Sequence, residues 1–259
     1  MNKKDTRLEE IINYLKQNNG APVKDLAKMF NVSEMTIRRD LKILDDNGIV
    51  NNVYGSTIYN PNNSAETNPD YYNLITAVDK HREDKQRIGK FAASLINEDD
   101  TIIIDAGSTT EYVARHINQN IKLKVLCYTI NILNLLIDKK DISIIFPGGY
   151  YHHNSQMFES MESLGLINKT RANKVFISAA GVHEKLGVTC SNMYEINTKK
   201  ASIASGAEVI LLVDSSKFSN VKSAYFANLS DFNTIVTDKN ISPEWEEMIQ
   251  SMGITLYKV

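Results

Sequence analysis

Residues 23–47, VKDLAKMFNVSEMTIRRDLKILDDN, decide how the front of this chain folds. Leu26, Ala27 and Phe30 recur at helical spacing, and Ile37, Leu41 and Leu44 do so again further along. Asn31, Val32 and Ser33 separate the two runs. A Ser hydroxyl placed there bonds the free amides of the next turn and so starts a second helix. Glu34, Met35 and Thr36 open that helix, and Thr36, Arg38, Arg39 and Lys42 fall on its solvent side. Two short helices around a tight turn, the second presenting its first turns outward, have the layout of a helix-turn-helix, whose second helix lies in the DNA major groove. An ordinary helical hairpin with a solvated charged face is the competing interpretation. Ser33, Met35, Thr36, Arg38, Arg39 and Lys42 are the candidate DNA-contacting residues.

Outward from this stretch, Leu8, Ile11, Ile12 and Leu15 predict an amphipathic first helix, ended by Asn18, Asn19 and Gly20. Asn47 and Gly48 stop the third helix, and Ile49-Val50, Val53-Tyr54 and Thr57-Ile58-Tyr59 predict a short hairpin around Gly55. Residues 1–57 thus read as a winged helix-turn-helix domain, a size that folds alone. They carry 9 Lys and Arg against 8 Asp and Glu, and the whole chain of 259 residues has a formal net charge of -2. DNA affinity must therefore come from local placement, which predicts weak single heads and a homo-oligomer that presents several. The partner expected is double-stranded operator DNA.

Residues 58–70 are polar, carry Pro61 and Pro69, and read as an interdomain linker. A single helix is expected over about 71–96. Beyond it, apolar runs at 101–104, 124–128, 142–146, 174–178, 209–213 and 234–237 alternate with helical segments at 110–118, 131–138, 160–168, 193–205 and 243–252. That alternation predicts an α/β domain over 71–259 with a mainly parallel sheet covered on both faces. Ligands of such sheets gather at the carboxyl ends of the strands.

The polar residues fall at those ends. Asp105, Gly107, Ser108, Thr109 and Thr110 follow the first run and lead into a helix, whose opening amides favour an anion. Thr129 and Asn131 follow the second, Gly148 and Gly149 the third, and Lys217 stands among hydroxyls after Asp214. A Lys there neutralises a phosphate as a point charge. Together they predict a pocket for a small polyhydroxylated anion, although each loop taken alone is also plain turn chemistry. Lys85, on the long helix, is either a second positive charge for that pocket or a solvated lysine.

Several function classes recede. Cys127 and Cys190 are too few for a disulfide framework or a zinc site, and read as buried thiols. His152 and His153 are a poor metal pair, since neighbours in a strand point to opposite faces. No metal and no cofactor is expected. The N-terminus lacks an apolar signal region and no run reaches membrane length, so no membrane partner and a cytoplasmic location are expected.

These residues resemble the DeoR family of bacterial repressors over nearly the whole chain. The front-end signature is Val32-Ser33-Glu34-Met35-Thr36-Ile37-Arg38-Arg39-Asp40-Leu41. In the second domain it continues in residues 105–110, Gly148-Gly149 and Asp214-Ser215-Ser216-Lys217-Phe218. The resemblance implies a sensor domain similar in fold to ribose-5-phosphate isomerase, which binds a phosphorylated sugar and releases operator DNA in response. Residues 33–41, Val125-Leu126-Cys127-Tyr128 and Ser178-Ala179-Ala180-Gly181-Val182-His183 resemble most the branch that senses deoxyribose-5-phosphate. The implied assignment gives the phosphate to Ser108, Thr109, Thr110, Gly148, Gly149 and Lys217, and sugar hydroxyls to Asp105. In the wing this chain has Asn52 and then Gly55-Ser56, where many members have an Arg and two glycines, which implies a weaker backbone contact there. The rival from another class is an isomerase-like enzyme with Asp105, Asp214 or Glu195 as its base. Against it stands the attached DNA reader, which fits sensing better than turnover.

Overall fold

The computed structural model describes residues 3–18, 20–46, 50–53, 56–59 and 74–259. Gly55, the Asn47-Gly48 stop and residues 60–70 of the expected linker lie outside them. The chain divides into two compact units, Met1–Tyr71 and Tyr72–Val259.

The first unit runs α1 (Lys3–Asn18), β1 (Ala21–Pro22), α2 (Val23–Met29), α3 (Glu34–Asp46), β2 (Val50–Val53) and β3 (Ser56–Tyr59). Ile11 and Leu15 of α1, Leu26 and Ala27 of α2, and Ile37, Leu41 and Leu44 of α3 form one buried core, as their helical spacing demands. Asn31 adopts a left-handed conformation (φ 50°) in the turn between α2 and α3. Three short strands pair antiparallel in the order β1-β3-β2 to make the wing. β3 runs on to Tyr59 because Ile58 and Tyr59 pair with Asn51 and Val50, so the strand extends two residues past the expected domain end.

The second unit opens with α4 (Leu74–Asp79) and α5 (Arg82–Ser94), followed by β4 (Thr101–Ile104), α6 (Ser108–His116), β5 (Leu123–Cys127), α7 (Ile130–Leu136) and β6 (Ile142–Ile145). A hairpin, β7 (Tyr150–His152) and β8 (Met157–Glu159), comes next. Then follow α8 (Met161–Lys169), β9 (Ala172–Ser178), β10 (Gly181–His183), β11 (Gly187–Cys190), α9 (Glu195–Ser205) and β12 (Gly206–Leu212). The chain ends with β13 (Ala224–Ala227), β14 (Thr234–Thr237), α10 (Pro243–Ser251) and β15 (Thr255–Lys258). The helix expected over 71–96 is two helices. His81 takes a left-handed conformation (φ 52°), which a continuous α-helix does not admit, and it divides α4 from α5.

Seven parallel strands form the main sheet in the order β15-β14-β12-β9-β4-β5-β6. Its two faces carry separate cores, as the side-chain period of two requires. Ile103, Leu126, Val175, Ile177 and Leu211 pack with Ile167 of α8, Ala201 of α9 and Ile249 of α10. Ile102, Ile104, Val125, Phe176 and Leu212 pack with Ile88 of α5, Val113 of α6 and Leu136 of α7. Burial on both faces explains why these strands read as unbroken apolar runs. A smaller antiparallel sheet, β10-β11-β13, covers part of the first core.

The strand order places the site. From β4 the chain winds outward through β5 to β6, then β9 enters on the other side of β4 and the winding reverses through β12 and β14. The crevice at such a reversal is where doubly wound sheets bind ligands. Here it lies between the ends of β4 and β9, at Asp105 and Ser178.

Candidate functional site

In the first unit, Ser33 caps α3 as its chemistry predicts: its Oγ accepts from the Thr36 backbone N–H at 3.2 Å and lies 2.9 Å from the Thr36 hydroxyl. Met35, Arg38, Arg39 and Lys42 are exposed on one side of α3, while Ile37, Asp40, Leu41 and Leu44 are buried on the other. Arg38 sits 3.9 Å from Glu34 across one helical turn, an exposed pair that holds it only loosely. One charged residue belongs to neither expectation. Asp40 is buried and its Oδ2 accepts from Arg7 Nε at 2.6 Å, tying α1 to the back of α3. Its place within the exposed-looking signature concealed it.

In the second unit the carboxyl ends of β5, β4, β9 and β12 stand side by side, with Ile104 level with Cys127 and Phe176, and Leu212 level with Ser178. Neighbouring strands are about 5 Å apart, so Asp105 and the residues after Leu212 are separated by roughly 10 Å along this edge. Gly107 is the N-cap of α6 and brings no capping side chain, which leaves the opening amides of the helix to a ligand or water. A Cβ on Gly107 would meet Ser178 Oγ at 2.2 Å, so the β4 and β9 loops touch here only because the residue is glycine. Ser108 and Thr109 follow on the first turn. The Thr110 hydroxyl is turned inward, donating to the carbonyls of Asp105 (2.7 Å) and Gly107 (3.0 Å), and shapes the loop.

Asp105 is fully enclosed. Its Oδ1 accepts from the Tyr128 hydroxyl at 2.5 Å, and its Oδ2 accepts from the Ser178 amide (2.9 Å), the Ser178 hydroxyl (3.2 Å) and Lys199 Nζ (2.5 Å). The carboxylate that the sequence offers to a sugar hydroxyl is thus engaged inside the protein, where it binds four elements together. Lys199, which no sequence signal singles out, also donates to the Ser178 carbonyl at 3.0 Å and lies 3.7 Å from Glu195. Burial pulls the Lys199 ammonium down, but the Asp105 and Glu195 carboxylates outweigh it and hold its pKa above the ordinary value. Burial raises Glu195, a shift that Lys199 only partly offsets. Burial and the Asp105 charge raise Tyr128 well above its usual range.

Elsewhere along the edge, Thr129 Oγ1, Asn131 Oδ1 and Asp214 Oδ2 are buried without a hydrogen-bond partner. Asn131 donates through Nδ2 to Glu111 at 2.7 Å, and Glu111 in turn pairs with Arg115. Lys217 lies 3.7 Å from Asp214 Oδ2 with its side chain 28% exposed. Asp238 fixes this loop from below, accepting from the Ser215 amide at 2.6 Å. Gly148 and Gly149 stand at the entry to β7. Gly149 has φ +148°, and a Cβ there would meet the Glu159 carbonyl at 2.2 Å, so this glycine is required by the hairpin. Lys85 is buried, with its ammonium donating to the Ala77 carbonyl, and is not a solvated lysine.

His152 pairs with Glu159 at 2.9 Å and stacks on Tyr194 with centroids 3.6 Å apart, while His153 packs on Tyr151. Among the described residues no cluster of His, Cys, Asp and Glu is suited to a metal. Burial pushes both thiols, Cys127 and Cys190, up to about 12. Among the same residues no helix is long and apolar enough to cross a membrane. Val78, Arg82, Gln86, Tyr112, Arg115 and His116 line a cavity of about 320 Å³ against the later turns of α6, apart from the strand ends.

A DNA-reading winged helix in one unit and a doubly wound sheet in the other, with unpaired polar groups along its carboxyl edge on either side of the switch point, define a regulator built from a reader and a sensor. Residues 7–62 match the DeoR-like helix-turn-helix domain and residues 80–239 the DeoR C terminal sensor domain. This chain belongs to the DeoR family of helix-turn-helix transcriptional regulators. It is 30% identical to the deoxyribose operon repressor of Escherichia coli (strain K12) over 254 residues, 98% of each chain. It is 27% identical to the HTH-type transcriptional regulator IolR of Bacillus subtilis (strain 168), over 97% of this chain and 98% of that one. Among solved structures, ribose 5-phosphate isomerase A from Methanocaldococcus jannaschii overlaps 52% of this chain and 53% of its own, at 16% identity and a TM-score of 0.38.

Proposed function

We propose that this chain represses an operon for sugar or deoxynucleoside catabolism, and that a phosphorylated sugar, deoxyribose-5-phosphate first among them, binds its sensor domain and weakens its grip on operator DNA. One observation carries this reading: Thr129 Oγ1, Asn131 Oδ1 and Asp214 Oδ2 are buried without hydrogen-bond partners along the same sheet edge. Each such group costs about 1–3 kcal/mol until something satisfies it. Two are obligate acceptors and the third is a hydroxyl, a set that suits the donor O–H groups of a sugar. Beside them the uncapped amides of α6, the Ser108 and Thr109 hydroxyls, and Lys217 supply the donors and charge that a phosphate needs. Asp105 and Thr110 keep these loops in place. The near end-to-end likeness to the E. coli deoxyribose operon repressor supports the choice of sugar.

Isomerisation needs a base with an open lone pair near the substrate. Both Asp105 oxygens are already bonded and Glu195 lies against Lys199, while the open oxygen among the three candidate bases, Asp214 Oδ2, faces the Lys217 ammonium at 3.7 Å; that pairing and the attached DNA reader favour sensing over turnover. Repression then needs several copies of the weakly charged reader, and the ligand must prefer an arrangement of them that cannot span two half-sites. The test is operator mobility shift and thermal melting of the full chain, titrated with a panel of sugar phosphates. Deoxyribose-5-phosphate at about 100 times its dissociation constant should stabilise the sensor by about 2.7 kcal/mol and release operator DNA. No melting shift and no release with any member of the panel would overturn the proposal.

A further inference from the structure

We propose that the buried Asp105–Lys199–Glu195 cluster is a relay that joins the effector loop, through Asn192 and Asn154, to the backbone of Leu74 at the entrance to the sensor domain. The regulatory use of this relay rests on the effector reading above.

The chain of contacts is continuous. Lys199 Nζ lies between Asp105 (2.5 Å) and Glu195 (3.7 Å), with the ammonium and both carboxylates shut away from solvent. Glu195 Oε1 accepts from Asn192 Nδ2 at 2.6 Å. Asn192 Oδ1 accepts from Asn154 Nδ2 at 3.3 Å, and the Tyr194 hydroxyl donates to Asn154 Oδ1 at 2.7 Å. The Asn154 carbonyl accepts from the Leu74 amide at 2.8 Å. Leu74 is the first residue of α4, is 1% exposed, and follows directly on the stretch that leads back to the DNA-reading unit.

Charge explains why this cluster responds to a ligand. One ammonium faces two carboxylates in a site closed to water, so Lys199 satisfies Glu195 less well than Asp105. A phosphate arriving at the opening of α6 places negative charge beside the Asp105 loop, where low dielectric makes it felt strongly. The ammonium is drawn toward that loop, and Glu195 is left to hold Asn192 with less compensation. The later links are individual hydrogen bonds, with Asn154 held by two of them, to Asn192 and from Tyr194, and in the proposed relay their making and breaking is the two-state element that coupling requires. A purely structural cluster would stabilise the fold without linking Leu74 to the sheet edge.

Asn192→Ala and Asn154→Ala cut the relay outside the effector pocket and leave the buried charges in place. In the full chain, Asn192→Ala should raise hydrogen exchange at the Leu74 amide about 2–13-fold, one hydrogen bond's worth of protection, while the Leu211 amide in the central sheet stays unchanged. Exchange at Leu74 equal to wild type would overturn the relay whatever the effector is. The second arm measures operator affinity with and without saturating deoxyribose-5-phosphate. Coupling in such systems runs to about 5–150-fold, and both variants should bring it within about twofold of none, with separate affinities for sugar phosphate and operator kept. Wild-type coupling in both variants would overturn the relay. A wild-type chain deaf to every sugar phosphate would instead refute the effector reading, and the exchange arm would still decide the relay.

Discussion

Arg7 on α1 and Asp40 on α3 form an ion pair, Nε to Oδ2 at 2.6 Å, with the Asp40 side chain only 2% exposed. The pair fixes the back of the helix whose front carries Arg38 and Arg39, the side proposed to face DNA. Asp40→Asn should lower the stability of the DNA-reading unit by about 1.5–3 kcal/mol, the range for a charge-assisted hydrogen bond. Denaturant melts of the full chain would show an earlier first transition, and operator affinity should fall without a change in sequence preference. A melt superimposable on wild type would show that the pair holds nothing.

Arg38 and Arg39 are both exposed on the same helix, and among the described residues only Arg38 has an acidic neighbour, Glu34 at 3.9 Å. A guanidinium paired with a guanine edge discriminates between bases by about 1–3 kcal/mol, whereas a phosphate contact affects all sequences alike. Changing each to Ala and measuring affinity for operator and for scrambled DNA across a salt series separates the two roles. One variant should lose selectivity, and the other should lose affinity uniformly with a shallower salt slope. Unaltered binding by both would remove α3 from the interface.

What the sequence revealed, and what it hid, follows from where each signal lies. β4 and β14 were legible to the residue because strands buried on both faces are continuous apolar runs between polar ends. The single helix over 71–96 was misread because a left-handed His81 leaves no mark in a polar stretch. The hairpin of β7 and β8 was missed because Tyr150, Tyr151 and His152 show neither a clear alternation nor a long run. At the site, the loop after β4 announced itself by position. Lys199 did not: within the polar run Asn197-Thr198-Lys199-Lys200 it reads as a surface lysine. Only the fold brings it to a carboxylate 94 positions earlier.

Gly107 makes the contact between the β4 and β9 loops. A methyl group there would lie 2.2 Å from Ser178 Oγ and 2.7 Å from Ser178 Cβ, distances that force the loops apart. Gly107→Ala should therefore destabilise the sensor unit by about 1–3 kcal/mol, the usual cost of overpacking, and weaken sugar-phosphate binding. Adding Ser178→Gly should recover part of both losses. Failure of the second change to recover either would place the strain elsewhere.

Asp238 offers a test in pH. Burial works against its ionised form, but the amides of Ser215 and Asn240 outweigh that and hold its carboxyl below the ordinary aspartate value. A depressed folded-state pKa contributes stability above the unfolded value, and that contribution is lost as pH falls through the folded one. The stability difference between wild type and Asp238→Asn should be constant near neutrality and shrink only below about pH 4. A difference that shrinks on raising the pH would contradict the assignment of these two amides.

Substitution at Lys217 tests the proposed effector pocket separately from DNA reading. It follows β12, with 28% of its side chain exposed and its ammonium 3.7 Å from an Asp214 oxygen that lacks a hydrogen-bond partner. Lys217→Ala removes the positive charge and leaves the Asp214 carboxylate facing the same space, so an arriving phosphate meets repulsion where it met attraction. Melting temperature without ligand should change little, because a partly exposed ion pair contributes about 0–1 kcal/mol. Operator affinity should match wild type, since the α3 face lies in the other unit. The response to deoxyribose-5-phosphate should disappear in both melting and operator release. If the variant were still released from operator at the wild-type sugar-phosphate concentration, the phosphate would have to bind elsewhere, and the cavity bordered by Arg82 and Arg115 would be the next place to look.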